Sequence, residues 1–189
     1  MRGRHRGTLI VILGVFFAIA AVAYYGIGPE LLTMLALDVI LTVIAWIDWN
    51  TQTIPPVWNL LLGALGIISY FTMPGPTIPE RVIGFFCISL PMFLVVLFVP
   101  QGFGGGDIKM MAASGLLLGW KGNVAAFFIA LLIGGGYGMY LLAAKKKDRK
   151  DHFAFGPFLS LGVALSAFGG LGNRLVELYL SMPGAILAG

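Results

Sequence analysis

Long apolar blocks, separated by short segments rich in charge, proline or glycine, make up most of this chain. A block of about 18 or more residues with almost no charge is long enough, at 1.5 Å per residue, to cross a hydrocarbon core of about 30 Å. The first such span is expected from Thr8 to Tyr25 and the second from Glu30 to Ile47. The polar stretch Asn50-Thr51-Gln52-Thr53 and then Ile54-Pro55-Pro56 follow, and the prolines stop any helix before Val57. A third span covers Val57 to Thr72 and closes at the proline-rich turn Met73 to Pro79. The fourth runs from Val82 to Val99. A shorter helix is expected from Ile108 to Trp120, rich in small residues that let neighbouring backbones approach. Val124 to Ala144 makes a sixth span, and a last one opens near Phe155 and ends about Gly170. The segment from Asn173 to Gly189 is weakly apolar, with Arg174 and Glu177 one turn apart, and reads as an interfacial helix.

The pattern predicts an all-α, polytopic membrane helical bundle of about seven transmembrane segments. Residues 1–29 form an extra N-terminal span, 30–170 a six-helix core and 171–189 a tail, together one membrane-embedded domain. Composition agrees, since 59% of the 189 residues are hydrophobic and 11% charged, with a mean hydropathy of +0.95, whereas a soluble domain carries about a quarter charged residues. The formal charge of +4 does not point to nucleic acid, because the basic residues sit in short segments beside spans. They set topology instead. With the N-terminus inside, nine of the 12 Lys and Arg fall in cytoplasmic segments, most of them in Arg2 to Arg6 and Lys145 to Lys150. Only Arg81, Lys121 and Arg174 fall outside. The first span is not read as a secretory signal: it exceeds a signal core of about 7–15 residues and exits through Tyr24-Tyr25-Gly26. Cys87 lies alone within an apolar block, so no intrachain disulfide or paired-cysteine zinc site is expected.

On this topology Asp48, at the end of the second span, and Asp107, at the start of the fifth, arrive at the same cytoplasmic membrane face. An acid kept beside the bilayer is costly and marks a candidate functional site. Two carboxyl groups that share a site do not both ionise easily, so one keeps a proton and the other does not. Aspartic proteases use this arrangement: the ionised member takes a proton from an attacking water and the neutral member donates to the peptide carbonyl. Gly104, Gly105 and Gly106 precede Asp107, and three residues without Cβ would let a loop move and an extended backbone come close. Asp38 lies ten residues before Asp48, about 15 Å deeper and on another helix face, so it is expected as a hydrogen-bonding group outside the pair. Lys109 does not share a helix face with Asp107 and is expected to snorkel. His5 and His152 lie in charged segments and carry no signal.

Three motifs resemble those of the type IV prepilin peptidases, membrane aspartic proteases of the G-x-G-D type. Asp48 followed by five residues and Ile54-Pro55 is similar to the family's first aspartate motif. Gly104-Gly105-Gly106-Asp107-Ile108-Lys109 is similar to its second, and Phe155-Gly156-Pro157 to the segment that opens its last helix. The resemblance covers roughly Leu35 to Gly170. It implies that Asp48 and Asp107 are catalytic, that no cofactor or metal is needed, and that the substrates are prepilin-like preproteins whose short basic leader is cut at the cytoplasmic face of a multi-pass plasma-membrane protein. Pro56 departs from the Asp or Asn common at that place in the family. Many members also carry a cytoplasmic insertion with paired cysteines and methylate the new N-terminus; that activity has no support in a chain with one cysteine and no insertion. A presenilin or signal-peptide-peptidase type protease fits less well, since Ile47 precedes Asp48 and no Pro-Ala-Leu element occurs. A small transporter would also keep acids in a glycine-broken bundle, but no internal repeat supports one.

Overall fold

A computed structural model describes residues 2–99, 102–143 and 154–187. The expected cytoplasmic run Lys145 to His152 lies outside the described residues, as do Pro100 and Gln101. Among the described residues eight α-helices follow in order: α1 (Arg2–Tyr25), α2 (Pro29–Thr51), α3 (Pro56–Thr72), α4 (Ile78–Cys87), α5 (Ser89–Phe98), α6 (Gly105–Ala143), α7 (Gly156–Ala167) and α8 (Leu171–Leu187), with a 3-10 turn at Phe168–Gly170 between the last two. Among the described residues five stretches are long and apolar enough to cross a membrane, and α3 is a shorter apolar helix. The chain is a polytopic helical bundle, as the apolar blocks predict.

The breaks have local causes. Gly26 takes a positive φ after α1, and Pro29 then supplies a preset φ in the first turn of α2. α2 runs four residues past the expected end at Ile47. Asn50 and Thr51 do not leave the helix but donate their side chains back to the carbonyls of Trp46 and Ile47, and Gln52 ends it in the left-handed region. Asp48 therefore stands in the last turn of a helix that continues beyond it. α4 likewise starts at Ile78, ahead of the expected Val82, because Thr77 and Glu80 form a capping box in which Glu80 accepts from the Thr77 backbone at 2.8 Å. Pro91 offers no N–H for the carbonyl of residue 87, and the helix breaks at Ile88 into α4 and α5.

α6 is two arms folded against each other. Gly119 has φ 68° and ψ −179°, a conformation open essentially to glycine alone, and it splits the element into residues 105–118 and 120–143. The reversal is pinned by Asn123, whose Nδ2 donates to the carbonyls of Met111 and Gly84, each at 3.0 Å, while its Oδ1 accepts from Ser114 at 2.8 Å. Residues 111 and 123 would stand about 18 Å apart along one straight helix. The split gives two separate helical arms where the apolar pattern expects separate helices from Ile108 and Val124.

α6 forms the middle of the bundle, against α3, α4, α7 and α8, and α2 lies between α1, α3 and α7. The core is filled by Ile44, Leu62, Met110, Met111, Leu159 and Val163, all fully buried. Arg81 is buried and ties three helices together: Nη1 donates to the carbonyls of Gly66 and Leu116 and to Ser69 Oγ, and Nε donates to Pro76. Many large apolar side chains on α1, α3 and α5 face outward, as a lipid-bathed surface requires.

Candidate active site

Asp48 is 4% exposed, in the last turn of α2. Its Oδ2 accepts the backbone N–H of Gly156 at 2.8 Å. Gly156 is the first residue of α7, so this N–H has no partner within its own helix, and the helix dipole also favours a carboxylate there. The glycine is required by space. A Cβ at 156 would lie 2.7 Å from Asp48 Oδ2 and 2.9 Å from its Cγ. Pro157 follows within the first turn, where its missing N–H costs nothing. Phe155 closes the corner with its ring 6.2 Å from Phe103 and 6.5 Å from Phe158.

Asp107 is 8% exposed. It was expected in a glycine loop ahead of a helix starting at Ile108, but α6 begins at Gly105, so Gly105, Gly106 and Asp107 form its first turn. The Asp107 and Ile108 amides donate to the Gly104 carbonyl, at 3.0 and 3.3 Å, and Asp107 Oδ2 accepts in return from the Gly104 N–H at 3.3 Å. The acid thus caps the helix that carries it. The three glycines have different surroundings. Gly105 is exposed, and a Cβ there would meet nothing within 4 Å. Gly104 lies beside the Asp107 carboxyl, while Gly106 is seated under Ile54, whose Cβ would stand 2.8 Å from an added Cβ.

Ile54 thereby gives the Asp48-to-Pro55 motif a structural meaning. It is buried in the short link from α2 to α3, and it sets the start of α6 against that link. Pro55 caps α3 in extended conformation. Asn59, one turn into α3 and 6% exposed, donates Nδ2 to the Gly106 carbonyl at 3.0 Å. Its Oδ1 is buried without a partner. Asn59 is not among the residues that the motifs single out; its signal in the sequence is a lone amide in an apolar helix shortly after Ile54-Pro55.

The turn that carries Asp107 and the corner that holds Asp48 meet through the Phe103 and Phe155 rings, 6.2 Å apart. Each acid has Oδ2 held by a backbone N–H, and neither Oδ1 is hydrogen-bonded among the described residues. Two ordered carboxyl groups, each with one uncommitted oxygen, can accept and donate protons around a bound water. Lys109 is exposed. Asp38 lines a cavity between α1, α2, α6 and α7, and neither a hydrogen bond nor an ion pair ties it to the pair. Among the described residues no group of three or more His, Cys, Asp or Glu could hold a metal ion.

Residues 35–139 match the model of the Type IV leader peptidase family. The chain is similar to proteins named prepilin leader peptidase/N-methyltransferase: it is 29% identical to that of Xanthomonas campestris pv. campestris over 93% of this chain and 62% of the relative. For the protein of Aeromonas hydrophila the identity is 25%, over 85% of this chain and 60% of the relative. For that of Bacillus subtilis it is 27%, over 88% and 66%. The chain thus spans about three-fifths to two-thirds of the length of these curated relatives. No solved structure matches it.

Proposed function

Given that the chain belongs to the type IV leader peptidase family, we propose that it is a membrane aspartic endopeptidase that removes the short basic leader of prepilin-like, archaellin-like or pseudopilin-like preproteins. Asp48 and Asp107 are its catalytic pair. The observation that carries this reading is the pair itself: two buried aspartates from distant parts of the chain, each anchored through Oδ2 and offering Oδ1.

The two carboxyl groups share one proton. The ionised member draws a proton from water as its oxygen attacks the scissile carbonyl carbon, and the protonated member donates to the carbonyl oxygen, giving a neutral tetrahedral intermediate. On collapse the C–N bond breaks, the protonated member gives its proton to the leaving amine, and the ionised member takes one from a hydroxyl of the intermediate, so the pair again holds one proton. Gly156 orients Asp48 through its N–H, and Gly104 does the same for Asp107. Asn59 and Ile54 hold the turn that carries Asp107. Exposed Gly105, with no side chain, leaves room for an extended substrate backbone beside Asp107. The N-terminus and the site face the cytoplasm, where a basic leader would be met, and the whole chain acts as one membrane-embedded peptidase domain.

The test is leader removal from a prepilin-like substrate by the protein in lipid nanodiscs. Asp48→Asn and Asp107→Asn each abolish cleavage while thermal unfolding and membrane insertion are unchanged. Cleavage that survives either substitution removes that aspartate from the mechanism.

A further inference from the structure

A cavity of about 590 Å³, within the size range of small-molecule sites, lies among helix ends: the exit of α1, the first turn of α2, the turn from α3 to α4 and the 3-10 turn that leads into α8. Glu30 on its wall stands about 27 Å along α2 from Asp48. Neither Asp48 nor Asp107 lines it.

Arg81 is 7% exposed and lines this cavity. Its acceptors are all neutral: the carbonyls of Gly66, Pro76 and Leu116 and the Ser69 hydroxyl. The Tyr70 ring lies 5.6 Å from the guanidinium carbon, and among the described residues no carboxylate pairs with it. A buried cation is normally matched by an anion. Arg81 keeps a donor for one. Nε and Nη1 make the bonds just named, while Nη2 makes none among the described residues and, unlike Asn59 Oδ1 and Ser160 Oγ, is not sealed from the surface. Its place is on the cavity wall: a Cβ added to Gly75, another lining residue, would lie 3.9 Å from Nη2 and meet nothing else within 4 Å.

The remaining polar lining favours the same ligand. Arg174, exposed in the first turn of α8, lines the cavity and forms no ion pair among the described residues, and the positive end of the α8 dipole lies there too. Glu30 is the opposing charge, but it stands in the first turn of α2, where the helix dipole offsets it. The hydroxyls of Tyr25, Ser69 and Ser166 are engaged within the protein. Tyr24 and Asn173 can each donate to a ligand oxygen.

We propose that this cavity binds a phosphate-bearing anion, with Arg81 Nη2 as the buried donor and Arg174 as a second positive charge. The cavity lies at the ends of apolar, lipid-facing helices, so the head of an anionic phospholipid is the source its position favours; free phosphate presents the same oxygens. The site does not depend on the peptidase reading.

Arg81 also ties α3, α4 and α6 together, so the test leaves it in place and supplies its missing anion from within. The backbone at 75 is outside the left-handed region. Gly75→Asp puts a carboxylate within reach of Nη2, and Gly75→Asn is the neutral control of the same shape. The protein in dodecyl maltoside is titrated with dihexanoyl-phosphatidylglycerol or with inorganic phosphate, and the thermal unfolding midpoint is followed. The wild type and Gly75→Asn should gain about 5–10 °C at about 100 times Kd. Gly75→Asp should start from a higher midpoint than Gly75→Asn and bind about tenfold more weakly or worse. Arg174→Gln should weaken binding about two- to fivefold. A response to phosphatidylglycerol at lower concentration than to phosphate supports the lipid head, and an equal response to phosphate supports the site and overturns the lipid source. No shift with either anion, or equal affinity in Gly75→Asp and Gly75→Asn, overturns the proposal.

Discussion

Gly156→Ala separates the role of position from that of chemistry, because it replaces neither acid. The backbone at 156 is helical, so alanine is conformationally permitted and on propensity alone would favour α7 by up to ~1 kcal/mol. The new Cβ, however, would stand 2.7 Å from Asp48 Oδ2, 2.9 Å from Cγ and 3.0 Å from Cβ. Ordinary contact begins near 3.4 Å, so the carboxyl must retreat by about 0.7 Å. That retreat stretches the Gly156–Asp48 hydrogen bond from 2.8 Å to about 3.5 Å, beyond the useful range. A hydrogen bond to a charged group contributes about 1.5–3 kcal/mol, and after the propensity gain the net loss of stability is about 1–2 kcal/mol. A displacement approaching 1 Å at a reacting group costs about 10²-fold in rate. Initial rates of leader removal in nanodiscs, over a range of substrate concentration, should therefore show kcat down about 100-fold with KM little changed. Gly135→Ala, on the second arm of α6 where an added Cβ meets nothing within 4 Å, serves as the control and keeps wild-type kcat. If Gly156→Ala folds and cleaves within about threefold of wild type, Asp48 is not held by this contact and the positional argument fails.

Three further substitutions test the frame around the pair. Asn59→Leu removes the donor to the Gly106 carbonyl at the start of α6, and leader cleavage should fall about tenfold, the equivalent of one hydrogen bond of ~1.4 kcal/mol. Gly119→Ala places a side chain at φ 68° and a Cβ 2.7 Å from the Pro76 ring; thermal unfolding should show a loss of about 2–4 kcal/mol, or roughly 5–15 °C. Glu177→Gln breaks the 2.8 Å ion pair with Lys121, in which Glu177 is 59% exposed, and should shift the unfolding midpoint by less than about 2 °C.

Much of this fold can be read from the apolar blocks, because a bilayer leaves helices as the only economical way to bury backbone polar groups. The locations of the breaks at Gly26, at Pro55-Pro56 and near Gly119 follow from residues with restricted or unusual dihedrals. Helix ends were less legible where side chains cap locally. Asn50 and Thr51 look like loop residues, yet they bond back along α2, and the Thr77–Glu80 box starts α4 four residues early. At the site, the types and order of the acids were legible. Their surroundings were not, since the Gly156 amide comes to Asp48 from 108 positions along the chain, and no spacing in the sequence encodes that approach. The same holds for Gly106, which looks like a flexible loop residue and is instead packed beneath Ile54.

The bond between Gly156 and Asp48 also orders events in time. A nascent chain threaded into the membrane as far as the end of α6 already carries both acids, Ile54, Asn59 and the glycine turn. It lacks the donor that fixes Asp48, because that amide belongs to the first residue of α7. Synthesis from the N-terminus thus leaves the half-made protein with its first acid unset, and the proposed site is complete only when the late segment docks.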